Sequence, residues 1–419
     1  MNPDPASIPV TRRTFVRATA AFGIGALEGG GSLWTRAAEI NAPIAAAGPG
    51  PFTPPPLLTP AEKFRDVSRG TPKIFTLKGE DLNQARLTPE TWRLEITADT
   101  APKPDIQETA VLSKPMKVSD GTALDFAALM DLGKARGVRF LKAMQCLNIP
   151  TPLGQGLWEG VPLRDVLKLC GALKNVRRLY YWGFHHNDPK QLFQSSLSYT
   201  EVMETPPGEL PAFIAYRLNG EPISLLRGGP VRMVVPWAHG FKSIKWLQGI
   251  TATNDYRAND TYAEANNDPE SHIKTSAYVA EIPKTLPAGE GIVVGGLVIS
   301  GLSGLQRVEY HLANGTPSAA DEQWIEARLE EPPRDWNRIL PEGVSPKTLL
   351  GFDRKTGRPL NWPLRYGMIS WSAHLGKLRP GKYALRARAV DLNGFAQPAP
   401  RPNQKTGINA LELREFEVV

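Results

Sequence analysis

Glycine and proline recur throughout the chain, and they limit the folds that are open to it. The 419 residues include 38 glycines and 39 prolines. Proline breaks helix interiors and glycine weakens them, so this content is too high for a helical bundle. It favours many short strands joined by turns and irregular loops. With 41% hydrophobic and 22% charged residues the chain can still form packed cores, and its length predicts two domains plus a leader.

The first fifty residues predict an export signal. Arg12 and Arg13 precede the weakly apolar run 18–27, and small residues follow at 45–47. A basic start, a short apolar run and small residues make a signal peptide. The arginine pair resembles a twin-arginine signal, which exports proteins already folded around a cofactor. The other interpretation is a short amphipathic helix. We assign residues 1–50 to a signal peptide and linker and expect a periplasmic protein.

The remaining sequence predicts neither a membrane span nor a nucleic-acid partner. The apolar run of the leader is shorter than the ~20 residues that cross a bilayer, and no later segment approaches that length. The formal net charge of +7 is modestly basic, but no run of lysine and arginine is interleaved with aromatic residues. A basic surface is compatible with an acidic protein partner.

Short periodic segments predict a mixed region followed by an all-β region. The first region has one predicted helix at 123–132 and strands at 92–97, 138–145, 176–182, 212–218, 231–235 and 241–253. After about residue 275 only strands are predicted, at 292–300, 305–312, 324–329 and 382–392. The sequence therefore predicts the α+β class, with a mixed α/β domain at 51–270 and an immunoglobulin-like β-sandwich at 271–419. We expect the long loop 330–380, with Trp336, Trp362 and Trp371, to cover the first domain.

The two cysteines lie in different sequence contexts. Four apolar residues share one face of a helix that follows Pro162 and ends at Gly171, namely Leu163, Val166, Leu167 and Cys170. Cys170 is therefore predicted to be a buried structural thiol. Cys146 instead follows an apolar strand and begins a loop without helical periodicity. From the residues alone, this thiol could be a nucleophile, a metal ligand or a small buried side chain.

Several motifs around Cys146 carry a family resemblance. In chain order they are Gln145-Cys-Leu-Asn148, Trp158-Glu-Gly-Val-Pro-Leu-Arg-Asp-Val-Leu167, Ala215-Tyr-Arg-Leu-Asn-Gly-Glu-Pro222, Gly228-Gly-Pro-Val-Arg-Met-Val-Val-Pro236 and Gly240-Phe-Lys-Ser-Ile-Lys-Trp246. In this order and spacing they resemble the sulfite oxidase family of molybdenum-cofactor enzymes, over about residues 60–270. The following sandwich matches the family's dimerisation domain in type and place. The resemblance thus implies a molybdopterin-binding catalytic domain and a homodimer.

The resemblance also assigns roles to individual residues. Cys146 would be the one protein thiolate on molybdenum, beside a pyranopterin dithiolene, and a soft thiolate suits such a metal. Trp158 would line the substrate pocket, and Tyr262 is the nearest substitute for the family's active-site tyrosine. The residues implied in cofactor binding are Arg69, Asn148, Arg232, His239, Lys242, Ser243 and Lys245. Without the resemblance, the cations would be an ordinary strand edge and Trp158 a core residue.

Departures from the family concern the substrate. One of the arginines that surround sulfite in the family follows the cysteine, where this chain has Ile149, Pro150 and Thr151. A second lies in an upstream Arg-Asn-His segment, whose closest counterpart here is Ser68-Arg69-Gly70. Arg227 replaces a histidine, and only Lys405 lies near a third arginine position, late in the sandwich. A dianion is poorly desolvated without fixed cations, so sulfite is doubtful and a neutral or mono-anionic substrate is at least as well supported. The stretch 236–243 resembles the periplasmic methionine sulfoxide reductase branch, which lacks the sandwich.

These features together predict a periplasmic molybdenum oxidoreductase that transfers an oxygen atom to or from a small molecule. The sequence has no Cys-x-x-Cys-His haem site, so electrons are expected to pass to or from a separate protein, such as a c-type cytochrome. The rival hypotheses are a sulfoxide-type reductase, an exported binding module, and a family member that binds the cofactor without turnover. Adjacent His185 and His186 point apart on an extended chain, so a second metal site is not predicted.

Overall fold

The computed structural model describes most of the chain beyond the predicted leader. The described residues are 52–101, 103–147, 149, 151–261, 263–264, 267–315, 323–398 and 409–419. Predictions for the leader 1–50, Asn148, Tyr262 and Lys405 fall outside these residues and stay predictions.

The helices are short, in agreement with the glycine and proline content. The α-helices of the described residues are α1 Gly79–Gln84, α2 Phe126–Arg136, α3 Leu163–Leu167 and α4 Tyr199–Met203. The 3-10 turns are Ala61–Lys63, Ile74–Thr76, Lys168–Cys170, Pro189–Gln191, Leu225–Arg227, Gly240–Lys242, Trp336–Arg338 and Pro346–Thr348. Among the residues described, no helix has the length and apolar character of a membrane span.

The first region is built on two larger sheets. Its strands are β1 Arg93–Ala98, β2 Val111–Leu112, β3 Leu124–Asp125, β4 Val138–Met144, β5 Gly154–Pro162, β6 Leu173–Lys174, β7 Arg178–Gly183, β8 Gln194–Ser198, β9 Phe213–Leu218, β10 Glu221–Pro222, β11 Arg232–Val234 and β12 Leu247–Thr253. One sheet has the order β3-β1-β12-β7-β8, and the other has the order β10-β9-β5-β4 with β11 also paired to β9. Strands β1 and β12 are parallel, and β2 pairs with β6 separately.

Burial in this region follows the sequence periodicity. In and before β1, Trp92, Leu94 and Ile96 have no exposed surface, whereas the residues between them are partly exposed. The helix α3 and the 3-10 turn after it bury the predicted face, and Cys170 is a free, fully buried thiol. Burial raises the pKa of the Cys170 thiol to about 11, which keeps it protonated at neutral pH. The prediction of a structural cysteine is confirmed.

The second region consists of two sheets that share an apolar core. Its strands are β13 Ser276–Val279, β14 Thr285–Leu286, β15 Gly291–Ile299, β16 Arg307–Asn314, β17 Ile325–Glu326, β18 Arg328–Leu329, β19 Met368–Lys377, β20 Gly381–Val390 and β21 Leu413–Val418. The sheet orders are β13-β15-β19-β18 and β14-β21-β20-β16-β17. Val294, Trp371 and Leu385 contribute to the common core. The immunoglobulin type and the domain boundary near residue 270 stay predictions.

Two strands occupy segments for which the sequence predicted loops. Strand β5 includes the glycine-rich segment 154–156, and nearly all of its residues are buried, so polar and apolar positions do not alternate. Strand β19 lies within the expected loop 330–380, and its Trp371 belongs to the second core. The expectation that the segment 330–380 is a loop covering the first domain is therefore partly wrong. Trp336 and Trp362 do pack with Leu141 of the first region.

Candidate active site

A cavity of about 330 Å³ opens beside Cys146. It lies where the loop after β4 meets the segment 64–70, the segment after β7 and the chain from 227 to 246. The structure thus brings together six of the predicted site residues, namely Arg69, Cys146, Trp158, Arg232, Ser243 and Lys245.

The loop that carries Cys146 is held at both ends by hydrogen bonds. The side-chain amide of Gln145 donates to the carbonyl oxygens of Cys146 at 3.0 Å and Ile149 at 2.6 Å. The backbone amide of Gly240 donates to the carbonyl of Gln145 at 2.7 Å. A Cβ at Gly240 would lie 3.3 Å from that carbonyl oxygen, which explains a glycine there. These contacts fix the half-buried Cys146 at the cavity wall.

Arg232 on β11 is buried at the back of the cavity. Its guanidinium donates to the carbonyls of Arg227 at 2.7 Å and Ser243 at 2.6 Å, and it lies 5.2 Å from the Trp158 ring. Within the part of the chain that the structure describes, the buried Nε atoms of Arg232 and Arg227 have no hydrogen-bond partner. Buried donors are normally paired, so these two nitrogens indicate a missing acceptor.

Lys245 connects the cavity to the segment 64–70. Its Nζ lies 2.9 Å from a carboxylate oxygen of Asp66, donates to the carbonyl of Leu226 at 2.8 Å and contacts the hydroxyl of Ser68. Gly228 packs directly against this side chain: its φ is +99°, and an added Cβ would lie 2.5 Å from Lys245. The glycine motif before β11 is therefore needed for both backbone conformation and space.

Positive charge in and behind the cavity exceeds negative charge. Burial, assisted by the Arg232 charge, lowers the pKa of Lys142 and of Lys245 to about 7 each. Burial and the neighbouring Arg227 lower the pKa of Arg232 to about 9. Burial also lowers the pKa of Arg227. Within the described residues, the one salt bridge that these four residues make is Lys245 to Asp66. Such a cluster favours a bound anion, because unpaired buried charge is costly.

Two residues predicted to bind the cofactor have other contacts. The fully buried Nζ of Lys242 donates to the carbonyl of Ser196 at 2.6 Å and lies 4.0 Å from Asp260. His239 is buried, and its backbone amide donates to Ser271. Neither lines the cavity, whereas Phe241, from the 3-10 turn Gly240–Lys242, does. The predicted cofactor contacts of Lys242 and His239 therefore lack support in this geometry.

Three residues at or near the site were missed by the sequence analysis. Arg65 lines the cavity, Asp66 pairs with Lys245, and Lys142 is buried beside Arg232. A lone lysine inside the apolar strand β4 was a usable signal for Lys142. Arg65 and Asp66 lie in a segment without regular secondary structure, where periodicity carries no information.

The site as a whole has the features of a pocket for an anionic metal cofactor. It combines a half-buried thiol, two buried arginines whose Nε atoms have no partner among the described residues, and aromatic walls. A thiolate is a suitable ligand for a soft metal, and arginine and lysine are the usual partners of a phosphate.

Comparison with known proteins identifies the domain that carries the cavity. Residues 82–261 match the oxidoreductase molybdopterin binding domain. Sulfite oxidase from Arabidopsis thaliana is 25% identical over 210 residues, which cover 44% of this chain and 52% of that protein. Inducible nitrate reductase [NADH] 2 from Glycine max is 30% identical over 125 residues, or 29% of this chain and 14% of that protein. Residues 82–261 are therefore a molybdopterin-binding oxidoreductase domain, similar in sequence to the sulfite oxidases and nitrate reductases.

A solved structure extends the likeness in fold beyond this domain. The sulfane dehydrogenase SoxCD from Paracoccus pantotrophus superposes with a TM-score of 0.54 at 16% identity, covering 83% of this chain and 85% of that chain. Among the curated relatives, the chain spans about half of the Arabidopsis enzyme and much less of the nitrate reductase. The family's cofactor is molybdenum bound to molybdopterin, and the cation cluster and thiol fit that group.

Proposed function

We propose that this protein is an exported oxidoreductase in which Cys146 binds the molybdenum of a molybdopterin cofactor. Its reaction is oxygen-atom transfer to or from a small molecule. The observation that carries the proposal is the position of Cys146 in one cavity with Arg227, Arg232 and Lys245, whose charges are largely uncompensated. The match of residues 82–261 to the oxidoreductase molybdopterin binding domain supports the same chemistry.

The chain's own residues would hold the cofactor and order its surroundings. Arg232 and Lys245 would bind the cofactor phosphate, with Arg227 behind them and the Ser243 hydroxyl beside them. The anion would favour protonated Lys245, whose pKa lies near 7 in its absence, so cofactor binding should take up a proton at neutral pH. Trp158 would exclude water from one side. The bound cofactor supplies two-electron oxygen-atom transfer at molybdenum.

We also infer a separate electron-transfer partner, a homodimer and a periplasmic location. The partner is supported by the lack of a haem motif in the sequence, and a c-type cytochrome suits the periplasm. The two-sheet region after residue 275 is the proposed dimerisation domain. The arginine pair of the leader supports export of a folded protein.

A second candidate function is the reduction of a sulfoxide-type substrate. The cavity observation that favours it is Ile149, an apolar residue on the wall beside Cys146 in place of a cation. The stretch 236–243, which resembles sulfoxide reductases, points in the same direction.

The test is elemental and pterin analysis of the mature protein purified from its native periplasm, followed by turnover assays. We expect molybdenum and pterin in equal amounts with the chain, and activity with at least one member of a panel of sulfur oxyanions, nitrogen oxyanions and sulfoxides. A protein without molybdenum and pterin would refute the proposal. A loaded protein that is inactive with every substrate and redox partner would support the cofactor-binding, non-catalytic rival instead.

A further inference from the structure

The mouth of the Cys146 cavity carries three side chains from one short segment. Arg65, Val67 and Arg69 occupy alternate positions, and all three line the cavity. All are exposed, unlike the buried Arg232 behind them, so they belong to the opening and not to the floor.

Arg65 reaches across to the loop that follows Cys146. Its guanidinium donates to the Thr151 hydroxyl at 2.7 Å, and its backbone amide donates to the carbonyl of Leu153 at 2.9 Å. This loop has no positive charge in its own sequence. Arg65, which lies 86 residues before Thr151, therefore supplies one. Most of the five donors of the guanidinium remain available for another acceptor.

Neither arginine at the mouth forms a salt bridge with a carboxylate of the described residues. Within the described residues, no carboxylate oxygen lies within 4.0 Å of the guanidinium of Arg65 or Arg69. Asp66, which lies between them in sequence, is engaged by Lys245 and Ser68. Arg69 instead stacks on the Phe193 ring at 4.1 Å. Two guanidinium groups thus face the opening without neutralisation.

Apolar side chains lie beside these charges. Val67, which is 40% exposed, Ile149 and Phe193 line the same cavity. An inorganic oxyanion would leave this apolar surface without a partner, and a neutral sulfoxide would leave the two guanidiniums without one.

We propose that Arg65 and Arg69 bind the negative group of a small organic anion, whose apolar part packs on Val67 and Ile149. This inference rests on the proposed function, since it names the substrate class of the same site. It assigns specificity to the segment 64–70, and to Arg65 in particular.

The experiment is calorimetric titration of the molybdenum-loaded protein with three inert probes: benzenesulfonate, methyl phenyl sulfone and sulfate. We expect benzenesulfonate to bind at least tenfold more tightly than either of the others. Because each substitution removes a charged hydrogen bond, Arg65→Gln and Arg69→Gln should each weaken benzenesulfonate binding about tenfold at this exposed mouth. The sulfone should be unaffected. Arg65→Lys should restore part of the affinity, and Val67→Ser should weaken the sulfonate but not sulfate.

The matched control is Arg338→Gln, a side chain that is 86% exposed and does not line the cavity, and it should bind all probes as the parent does. Equal affinity for sulfone and sulfonate, or for sulfate and sulfonate, would overturn the inference, as would unchanged sulfonate binding in Arg65→Gln. Molybdenum content separates the two hypotheses: loaded protein that ignores benzenesulfonate contradicts only this inference, whereas protein without molybdenum contradicts the proposed function.

Discussion

The two regions of the molecule bury different kinds of side chain. Around the Cys146 cavity, the first region buries Lys142 and Arg232 and partly buries Lys245, and among the described residues only Asp66 forms a salt bridge with any of the three. The core between the sheets of the second region is apolar. On the outer face of one of these sheets, Glu309 forms a ladder of ion pairs with Arg307 and Arg388.

This difference indicates which region depends on a bound ligand for its stability. Buried cations without counter-charges lower the stability of a fold, and a bound anion removes that cost. The first region should therefore gain stability when the cofactor binds. The second is stabilised by its own packing and should be indifferent to the cofactor.

The largest effect is expected at the thiol of the cavity. Cys146→Ser should fold as the parent does but show no detectable turnover, because a hydroxyl is a poor substitute for a soft thiolate ligand. The measurements are circular dichroism, molybdenum content and activity. Cys170→Ser makes the same chemical change in an apolar core and should lower the free energy of unfolding by about 1–3 kcal/mol with activity retained. Retained activity in Cys146→Ser would disprove the ligand role.

The next effect concerns the apolar core of the second region. Trp371 is 1% exposed, and its indole donates to the carbonyl of Tyr278 at 3.1 Å. Trp371→Ala should lower the free energy of unfolding by about 3–5 kcal/mol, as expected for a large cavity. Urea titration measures the loss, and the molybdenum content of the folded fraction should not change. Leu392→Ala, at a side chain that is 68% exposed, is the control and should cost less than about 0.5 kcal/mol. Loss of molybdenum in folded Trp371→Ala would break the contrast between the regions.

A smaller effect of opposite sign is expected at Lys142. Burial lowers its pKa from 10.5 to about 7, so between these values the unfolded chain holds a proton that the folded chain does not. The free energy of unfolding of cofactor-free protein should therefore rise with pH across this window. Lys142→Met should be more stable than the parent by about 2–4 kcal/mol at pH 7, with a gap that narrows towards pH 10.

Urea titrations at pH 7 and 9.5 measure this gap. Exposed Lys134→Met, the control, should shift stability by less than about 0.5 kcal/mol at either pH. A gap of the same size at both pH values would show that the charge of Lys142 is not its cause.

The smallest effect belongs to the outer ladder of the second region. Burial alone would raise the pKa of Glu309, but hydrogen bonds at 2.7 Å from Arg388 and Arg307 outweigh it and lower the pKa. The ionised Glu309 side chain therefore stabilises the fold fully above its unfolded pKa of 4.5. This stabilisation is lost as the pH falls through the lowered pKa of the folded state. Glu309→Gln should lower the free energy of unfolding by about 0.5–1 kcal/mol at pH 7 and by less in acid. Urea titrations at pH 7 and at an acidic pH measure the two losses. A cost that grew in acid would contradict this sign.

Sequence reasoning succeeded where one periodic pattern or one motif decided the structure. The face of α3 that buries Cys170 and the alternation of β20 follow from spacing alone. Arg232, Ser243 and Lys245 were found through the family motifs, and the structure places them around one cavity with Cys146.

It failed where tertiary contacts override local patterns. Strand β5 is buried on both faces, so it lacks alternation, and its glycines are needed because neighbours approach closely: an added Cβ at Gly160 would lie 2.1 Å from the carbonyl oxygen of Ile214. The cofactor role of Lys242 stays a prediction, since its Nζ donates to the carbonyl of Ser196 and lies 4.0 Å from Asp260, contacts that the motif does not encode. Arg65 approaches Thr151 across 86 positions of sequence, a separation that no local pattern encodes.

The bond between Lys245 and Asp66 has a consequence for the order of assembly. One ammonium group joins the floor of the cavity to the segment that frames its opening. A phosphate that competes for that ammonium should weaken its hold on Asp66 and Ser68, the two residues of the segment that it contacts. Cofactor binding and the conformation of the segment 64–70 are therefore thermodynamically coupled. The cavity opening should reach its functional conformation only after the cofactor has bound.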